Sequence, residues 1–188
     1  MSIYVTSDWH FNHKNIVSLC RPQFSSIEEH NDCIAQRFNE VVGKDDLVYV
    51  LGDVGFTPAS KLAPIIRQLN GRKILLIGNH DVLKDSEYLS MGFIEVVRHP
   101  IYYSTNIILS HIPVKEAYDN PWVYNIHGHL HNGALDLPNF INANVENWDY
   151  RPVDLKKLEA DIVPNCRKTR FEPYKTEWYA AFEQKKNA

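Results

Sequence analysis

Three apolar runs in this chain stop abruptly in acids, imidazoles and an amide. They are "IYVTSDWH" from residue 3, "DLVYVLGD" from residue 46 and "RKILLIGNHD" from residue 72. Runs this short and this apolar read as strands buried on both faces, the habit of parallel sheets covered by helices. Between them lie "SSIEEHNDCIAQRFNEVVG" and "PASKLAPIIRQLNG", both patterned for helix. In the first, Ser26 stands three residues before Glu29, a capping-box spacing. Ile27, Ile34, Phe38, Val41 and Val42 recur near the helical period before Gly43. Gly71 ends the second. The order strand, helix, strand, helix, strand predicts an α/β domain. In open α/β sheets, sites form outside the carboxyl ends of the strands, and the polar clusters fall at those ends.

The rest of the chain is richer in strand. "FIEVVRHPIYYS", "TNIILSHIPV" and "WVYNIHGHLH" read as hairpins and a second sheet. "FINANVENWDYRPVDL" and a short polar helix follow. Before the main helices, "HKNIVSLC" has room for one or two helical turns. Two of these later runs also end in imidazoles: His111, then His127, His129 and His131. Gly52, Gly78 and Gly128 each immediately precede a candidate residue, as expected where backbone turns sharply or approaches closely. At 188 residues the chain is long enough for one domain with a real core. No repeat or composition break marks a second domain.

Composition excludes several classes. The net charge of −3 lacks the basic excess of a nucleic-acid footprint, so long nucleic acid is not an expected partner. The opening residues show neither the basic nor the apolar region of a signal peptide, and no stretch is apolar enough to span a membrane. Cys20, Cys33 and Cys166 form no CxxC pair and read as free thiols of a reducing compartment. The expected location is the cytoplasm, or a host's cytoplasm if the gene is carried by a phage.

Residue types decide the chemistry. Carboxylate, imidazole and amide oxygen without thiolate suit Mn, Fe, Zn or Co rather than a structural zinc knot. Asp8, His10, Asp53, Asn79, His111, His129 and His131 are too many for one tetrahedral ion and suit two neighbouring ions sharing a carboxylate. In Asp8-x-His10 and His129-x-His131, alternate residues of an extended segment would point the same way.

The motifs D-x-H, G-D, G-N-H-D, a lone His and G-H-x-H, in this order over residues 8 to 131, resemble the calcineurin-like metallophosphoesterase superfamily. "HFNHKNI" and "NVENWDYRPV" further resemble its small bacterial and phage branch. The resemblance covers about the first 155 residues. It implies a two-layered β core, a β-sandwich flanked by α-helices. The domain would span residues 1–162, with 163–188 as an extension packed on it. It implies that Asp8, His10 and His131 hold one divalent ion, that Asn79, His111 and His129 hold the other, and that Asp53 bridges them. The cofactor expected is a pair of Mn2+ ions, with Fe, Zn, Ni or Co as alternatives. A metal-bridging hydroxide would attack phosphorus, His80 would act as catalytic acid, and Asp81 would orient His80 by a hydrogen bond.

Plainer readings compete at other positions. His127 reads equally as a supporting residue or a plain strand residue. Asn12 is at least as good a helix N-cap as a phosphate contact, and His13 is a weak substrate-binding candidate. His30 and His99 read as surface residues, and Trp9 and Trp148 as packing groups. Arg21, Arg72 and Lys73 read as solvated cations. Two classes of function remain. One is an enzyme hydrolysing a phosphate ester, first a small phosphodiester such as a nucleotide or cyclic nucleotide, then a phosphomonoester or a nuclease substrate. The other is a non-catalytic binding scaffold on the same fold.

Overall fold

The structure, a computed structural model, describes residues 1–160 apart from Ala134. The expected extension 163–188 lies outside the described residues. The first compact unit, Met1–Val153, carries two sheets. Strands β1 (Ile3–Thr6), β2 (Leu47–Val50), β3 (Arg72–Leu76) and β4 (Phe93–Val97) pair in parallel, in the spatial order β4-β3-β2-β1. Helices α1 (Lys14–Leu19), α2 (Ile27–Val41), α3 (Ala59–Gln68) and α4 (Asp85–Met91) occupy the connections. The second sheet has the order β5 (Ile101–Ser104), β6 (Ile107–Ser110), β7 (Tyr124–His127), β8 (Phe140–Asn142), with α5 (Lys115–Asp119) between β6 and β7. The short strand β9 (Val153–Asp154) closes the β1 edge of the first sheet. Of the second unit, Asp154–Ala188, residues 155–160 are helical, and the Asp154 carboxylate accepts the Lys157 amide at 3.0 Å as an N-cap does.

This is the expected α/β architecture of two sheets flanked by helices. The alternation along β2 shows how it is built. Val48 and Val50 enter the main core with Ile34, Phe38, Leu62 and Ile66 of the helices. Tyr49 points the other way and meets Tyr103 of β5 edge to face, with ring centroids 6.0 Å apart. The first sheet is therefore covered by helices on one face and by the second sheet on the other.

The later strands depart from the hairpin reading. In the second sheet β5 and β6 pair antiparallel, but β6–β7 and β7–β8 are parallel. The run "FIEVVRHPIYYS" is two strands in two different sheets, β4 and β5. It breaks at Arg98–Pro100, where proline has no N–H for a ladder. At α2, Ser26 Oγ accepts the Glu29 amide at 3.1 Å, but Glu29 returns to Ser25 rather than to Ser26. Trp9 is fully buried and Trp148 half-buried, as packing groups should be. Arg72 and His99 are exposed as expected. His30, Arg21 and Lys73 are not: all three are buried. Lys73 spends its ammonium on the carbonyls of Leu69 and Gly71 at 2.7 and 2.9 Å.

Candidate metal centre

The loops that follow β1, β2, β3, β6 and β7 converge where the two sheets meet. Backbone hydrogen bonds lace them together. The Asp8 amide donates to Gly52 O, the His10 amide to Asp53 O and the Gly128 amide to His111 O, at 2.9–3.0 Å. Ser7 pairs with Asn144, so the extensions of β1 and β8 join the sheets at this point. The approach is close enough to require glycine. A Cβ at Gly78 would lie 2.6 Å from the Asp53 amide nitrogen, and one at Gly128 would strike the side chains of Ser7 and Asp8.

The extended-segment reading of the two D/H-x-H pairs needs correction. Asp8, His10, Asp53, His129 and His131 all have φ between 49° and 71°. Non-glycine residues in this left-handed region cost about 1–2 kcal/mol each. Such strain persists where surrounding structure over-determines it, and it clusters at functional sites. Here the interloop hydrogen bonds hold it, and the side chains still converge.

Two groups of donors share the Asp8 carboxylate. Asp8, His10 and His131 present donor atoms within 4.8 Å of one another, and so do Asp8, Asp53 and His111. Asp53 Oδ2 lies 3.6 Å from His10 Nε2 and 3.6 Å from His111 Nε2. On the His111 side, Asn79 Oδ1 is 2.8 Å from His111 Nε2 and 2.9 Å from His129 Nδ1. All seven residues expected as ligands thus come together. Asp8, His10, Asp53 and His111 are buried, His129 and His131 half-buried, and Asn79 exposed.

The donor set fits divalent cations. Asp8 Oδ1 and His10 Nε2 are buried without any hydrogen-bond partner, an expensive arrangement for polar atoms unless something else pairs with them. His111 Nδ1 faces the Leu51 carbonyl at 2.8 Å. A carbonyl only accepts, so Nδ1 carries the proton and Nε2 turns a lone pair towards the oxygens of Asn79 and Asp53. A cation reconciles three acceptors that face each other. Burial alone would raise the Asp8 carboxyl. The His10 imidazole 3.7 Å away, the field of His111 and the Ser7 hydroxyl outweigh it and hold the group at about 2, ready to ligate. Burial lowers His129, which keeps that ring neutral, whereas the hydrogen bond to Glu146 raises His131.

The neighbours of the ligands differ from expectation in instructive ways. His80 donates its backbone amide to Asp53 Oδ1 at 2.8 Å, and its half-buried ring lies 5.5 Å from that of His10. Asp81 does not reach His80 with any observed hydrogen bond. Its carboxylate accepts the amides of Asp53, Val54 and Gly78 at 2.7–2.9 Å, so it clamps the loops that carry Asp53 and Asn79. Asn12 is not the N-cap of α1, a place taken by His13. Both ends of the Asn12 amide are engaged, with Asn31 and with Lys61 O. His13 is better placed, with Nδ1 3.3 Å from His10 Nδ1 and its ring beside Phe56 and His80. His127 is buried on β7, with Nδ1 against Gly128 O at 2.8 Å.

Sequence reasoning missed Glu146 and Arg21. Glu146 Oε1 lies 2.9 Å from His131 Nδ1 and accepts from Arg21. The available signal was the acid inside "NVENWDY", among residues that otherwise pack. Arg21, in the stretch "LCRPQF", carried no such signal.

A family model for calcineurin-like phosphoesterases matches residues 1–178. The chain belongs to the calcineurin-like phosphoesterase family. An uncharacterized protein of Methanocaldococcus jannaschii is 36% identical over 166 residues, covering 81% of this chain and 86% of that protein. The gene 66 protein of Mycobacterium phage L5 is 32% identical over 163 residues, covering 70% of this chain and 78% of its own, and it fits the small bacterial and phage branch. A crystal structure of a protein of unknown function from Aquifex aeolicus matches with a TM-score of 0.68 at 32% identity, over 86% of this chain and 99% of that one. As a calcineurin-like phosphoesterase, the protein is a hydrolase of phosphate esters that uses divalent metal ions, and the Asp8, His10, Asp53 and His111 cluster fits them.

Proposed function

We propose that this phosphoesterase is a binuclear enzyme whose substrate is a small phosphodiester, a nucleotide or cyclic nucleotide. The observation that carries the reading is the position of Asp53 Oδ2, equidistant from His10 and His111 between two donor groups. Asp8, His10 and His131 would hold one ion, Asn79, His111 and His129 the other, and Asp53 both. Two bound divalent cations, Mn2+ in our reading with Fe, Zn, Ni or Co as alternatives, would supply Lewis acidity and lower the pKa of coordinated water towards neutrality.

The protein's own residues do the rest. Water attacks phosphorus and releases one proton to solvent, the P–O ester bond opposite it breaks, and the leaving oxygen takes the electron pair together with a proton from His80, which solvent then restores. The His80 amide bond to Asp53 fixes its position beside the centre without occupying the imidazole. Asp81 acts on the geometry of the Asp53 and Asn79 loops. His13 and the exposed Phe56 flank His80 and form the wall nearest a leaving group.

A diester is favoured over a monoester because Arg21, the cation beside the Asp8 loop, gives all its bonds to protein groups and none to the opening. The net charge argues against long nucleic acid. The free Cys20 and Cys33 support a reducing, cytoplasmic setting. Among the described residues, no helix is long and apolar enough to cross a membrane.

The test is a screen of the Mn-loaded protein on bis-p-nitrophenyl phosphate, p-nitrophenyl phosphate and a panel of nucleotides. Faster turnover of the diester, together with at least one nucleotide diester, is the expected result. A protein that binds two ions and hydrolyses nothing would favour the scaffold reading instead.

A further inference from the structure

Arg21 is a fully buried arginine with every donor in use. A guanidinium has five N–H groups, and four acceptor atoms surround this one. Nε donates to Glu146 Oε1 at 2.9 Å, and Nη2 forms an ion pair with the same oxygen at 2.9 Å. Nη1 donates to Trp9 O at 2.9 Å and to His30 Nε2, and Nη2 also reaches Asp8 O. His30 can accept because its Nδ1 faces Asn31 Oδ1 at 3.1 Å, which places its proton there. A charge taken this far from water is tolerated when a carboxylate neutralises it and its hydrogen bonds are complete. Glu146 is that carboxylate, and it does a second thing. The same Oε1 stands 2.9 Å from Nδ1 of His131. The His131 backbone carbonyl is pinned as well, by the side-chain amides of Asn142 and Asn147 at 2.8 and 3.0 Å.

One guanidinium thus touches the loop of Asp8 through its carbonyl and the ring of His131 through Glu146. These are two of the three side chains assigned above to one ion, and they come from the ends of different sheets. An imidazole that gives Nδ1–H to a carboxylate must offer Nε2 as its lone pair, and such a partner also raises its basicity as a ligand.

We propose that Glu146, neutralised by Arg21, is the positioning residue that fixes His131 as an Nδ1-protonated, Nε2-ligating imidazole, and that the Arg21–Glu146 pair preassembles the Asp8–His10–His131 group before metal arrives. This rests on the assignment of those three side chains to one ion. In the other group, His111 is oriented by the neutral Leu51 carbonyl, and the Asp81 carboxylate beside Asn79 holds backbone amides, not a ligand imidazole. The effect of the pair should therefore fall on one ion and not on both.

The direct readout needs no metal and no substrate. Long-range proton–nitrogen NMR of the metal-free wild-type protein, at mildly alkaline pH, reports the tautomer of His131, and Nδ1–H is expected. Glu146→Gln keeps the shape and the acceptor oxygen but removes the charge. Calorimetric titration with Mn2+ should show one of two binding steps weakened about 10–100-fold, the usual cost of losing such a partner. The other step should stay near wild type even though the unfolding midpoint falls, because Arg21 loses its neutralising carboxylate, and Glu146→Asp should recover part of the loss. An Nε2–H tautomer in the wild type would overturn the proposal, and so would Glu146→Gln binding both ions with unchanged affinity. Equal weakening of both steps would also overturn it, because it would mark a general structural role. If Glu146→Gln does not fold, the wild-type tautomer and Glu146→Asp decide. Failure of the wild type to bind any divalent ion would count against the metal assignment, while the tautomer would still test Glu146.

Discussion

The two sheets bring different chemistry to one centre. The ends of β1, β2 and β3 supply every oxygen donor, Asp8, Asp53 and Asn79, together with His10. The ends of β6 and β7 supply imidazoles alone, His111, His129 and His131. The loops also differ in how they are held. Those of the first sheet are laced to one another and clamped by the Asp81 carboxylate through three amides. Those of the second sheet reach across to the first, His129 by donating its amide to Asp8 Oδ2 at 2.9 Å. Charge and rigidity thus come from the parallel sheet, and the imidazoles that would complete a coordination come from the other. Damage to the first sheet's residues should therefore reach both ions, and damage elsewhere should be narrower.

The largest expected effect follows from Asp53, which stands between the groups. Asp53→Asn should drop metal content below two ions per chain and remove activity on every ester alike, as read by elemental analysis and two-substrate kinetics. Retention of both ions would break the contrast between the sheets. Next comes His80, a first-sheet residue that completes neither group. His80→Ala should keep its metals and lose about 10²–10⁴ in rate on esters with poor leaving groups, the usual range for general-acid assistance. The loss should shrink for p-nitrophenolate. Full activity on an alkyl or nucleoside leaving group would remove His80 from the role.

Asp81 tests the clamp itself. Each buried amide left without a partner costs about 1–3 kcal/mol, and Asp81 serves three. Asp81→Ala should therefore lose several kcal/mol of unfolding free energy in urea and release metal as well. A stable variant with intact metal sites but low activity would restore the simpler picture of Asp81 acting only through His80.

A smaller effect belongs to His30 behind Arg21. Burial, reinforced by the Arg21 charge, lowers this imidazole to about 4. The folded protein holds it neutral, whereas the unfolded chain protonates it from about pH 6.5 downward. That contribution to stability is whole above pH 6.5 and is lost as pH falls towards 4. At about 1.4 kcal/mol per pH unit it amounts to about 3 kcal/mol. His30→Gln should flatten this part of the stability profile, and an unchanged slope would show that other groups set it.

The first sheet was legible because each of its first three strands carries its own marker: a short apolar run, an abrupt polar end, and a helix with caps before the next. The seven ligand candidates were legible for the same reason, since the polar ends interrupt an otherwise buried pattern. The second sheet was not. Parallel pairing of β6, β7 and β8 leaves no local signal when the connections hold only the five-residue α5 or irregular chain, so the runs read as hairpins. The break between β4 and β5 hung on Pro100, whose effect depends on which sheet each half joins. Left-handed backbone at Asp8 and His10 is held by interloop hydrogen bonds to Gly52 and Asp53, far away in the chain. The buried Arg21 is of the same kind: its four acceptors come from Asp8, Trp9, His30 and Glu146, and nothing adjacent to "LCRPQF" announces them.

The central claim is that Asp53 joins two metal positions, one served by Asp8, His10 and His131 and the other by Asn79, His111 and His129. Anomalous diffraction from crystals grown with Mn2+ tests it most directly. The account predicts two peaks about 3.5–4 Å apart, with the Asp53 carboxylate touching both and each donor group surrounding its own ion. A single peak, or an Asp53 carboxylate in contact with only one of two, would contradict it.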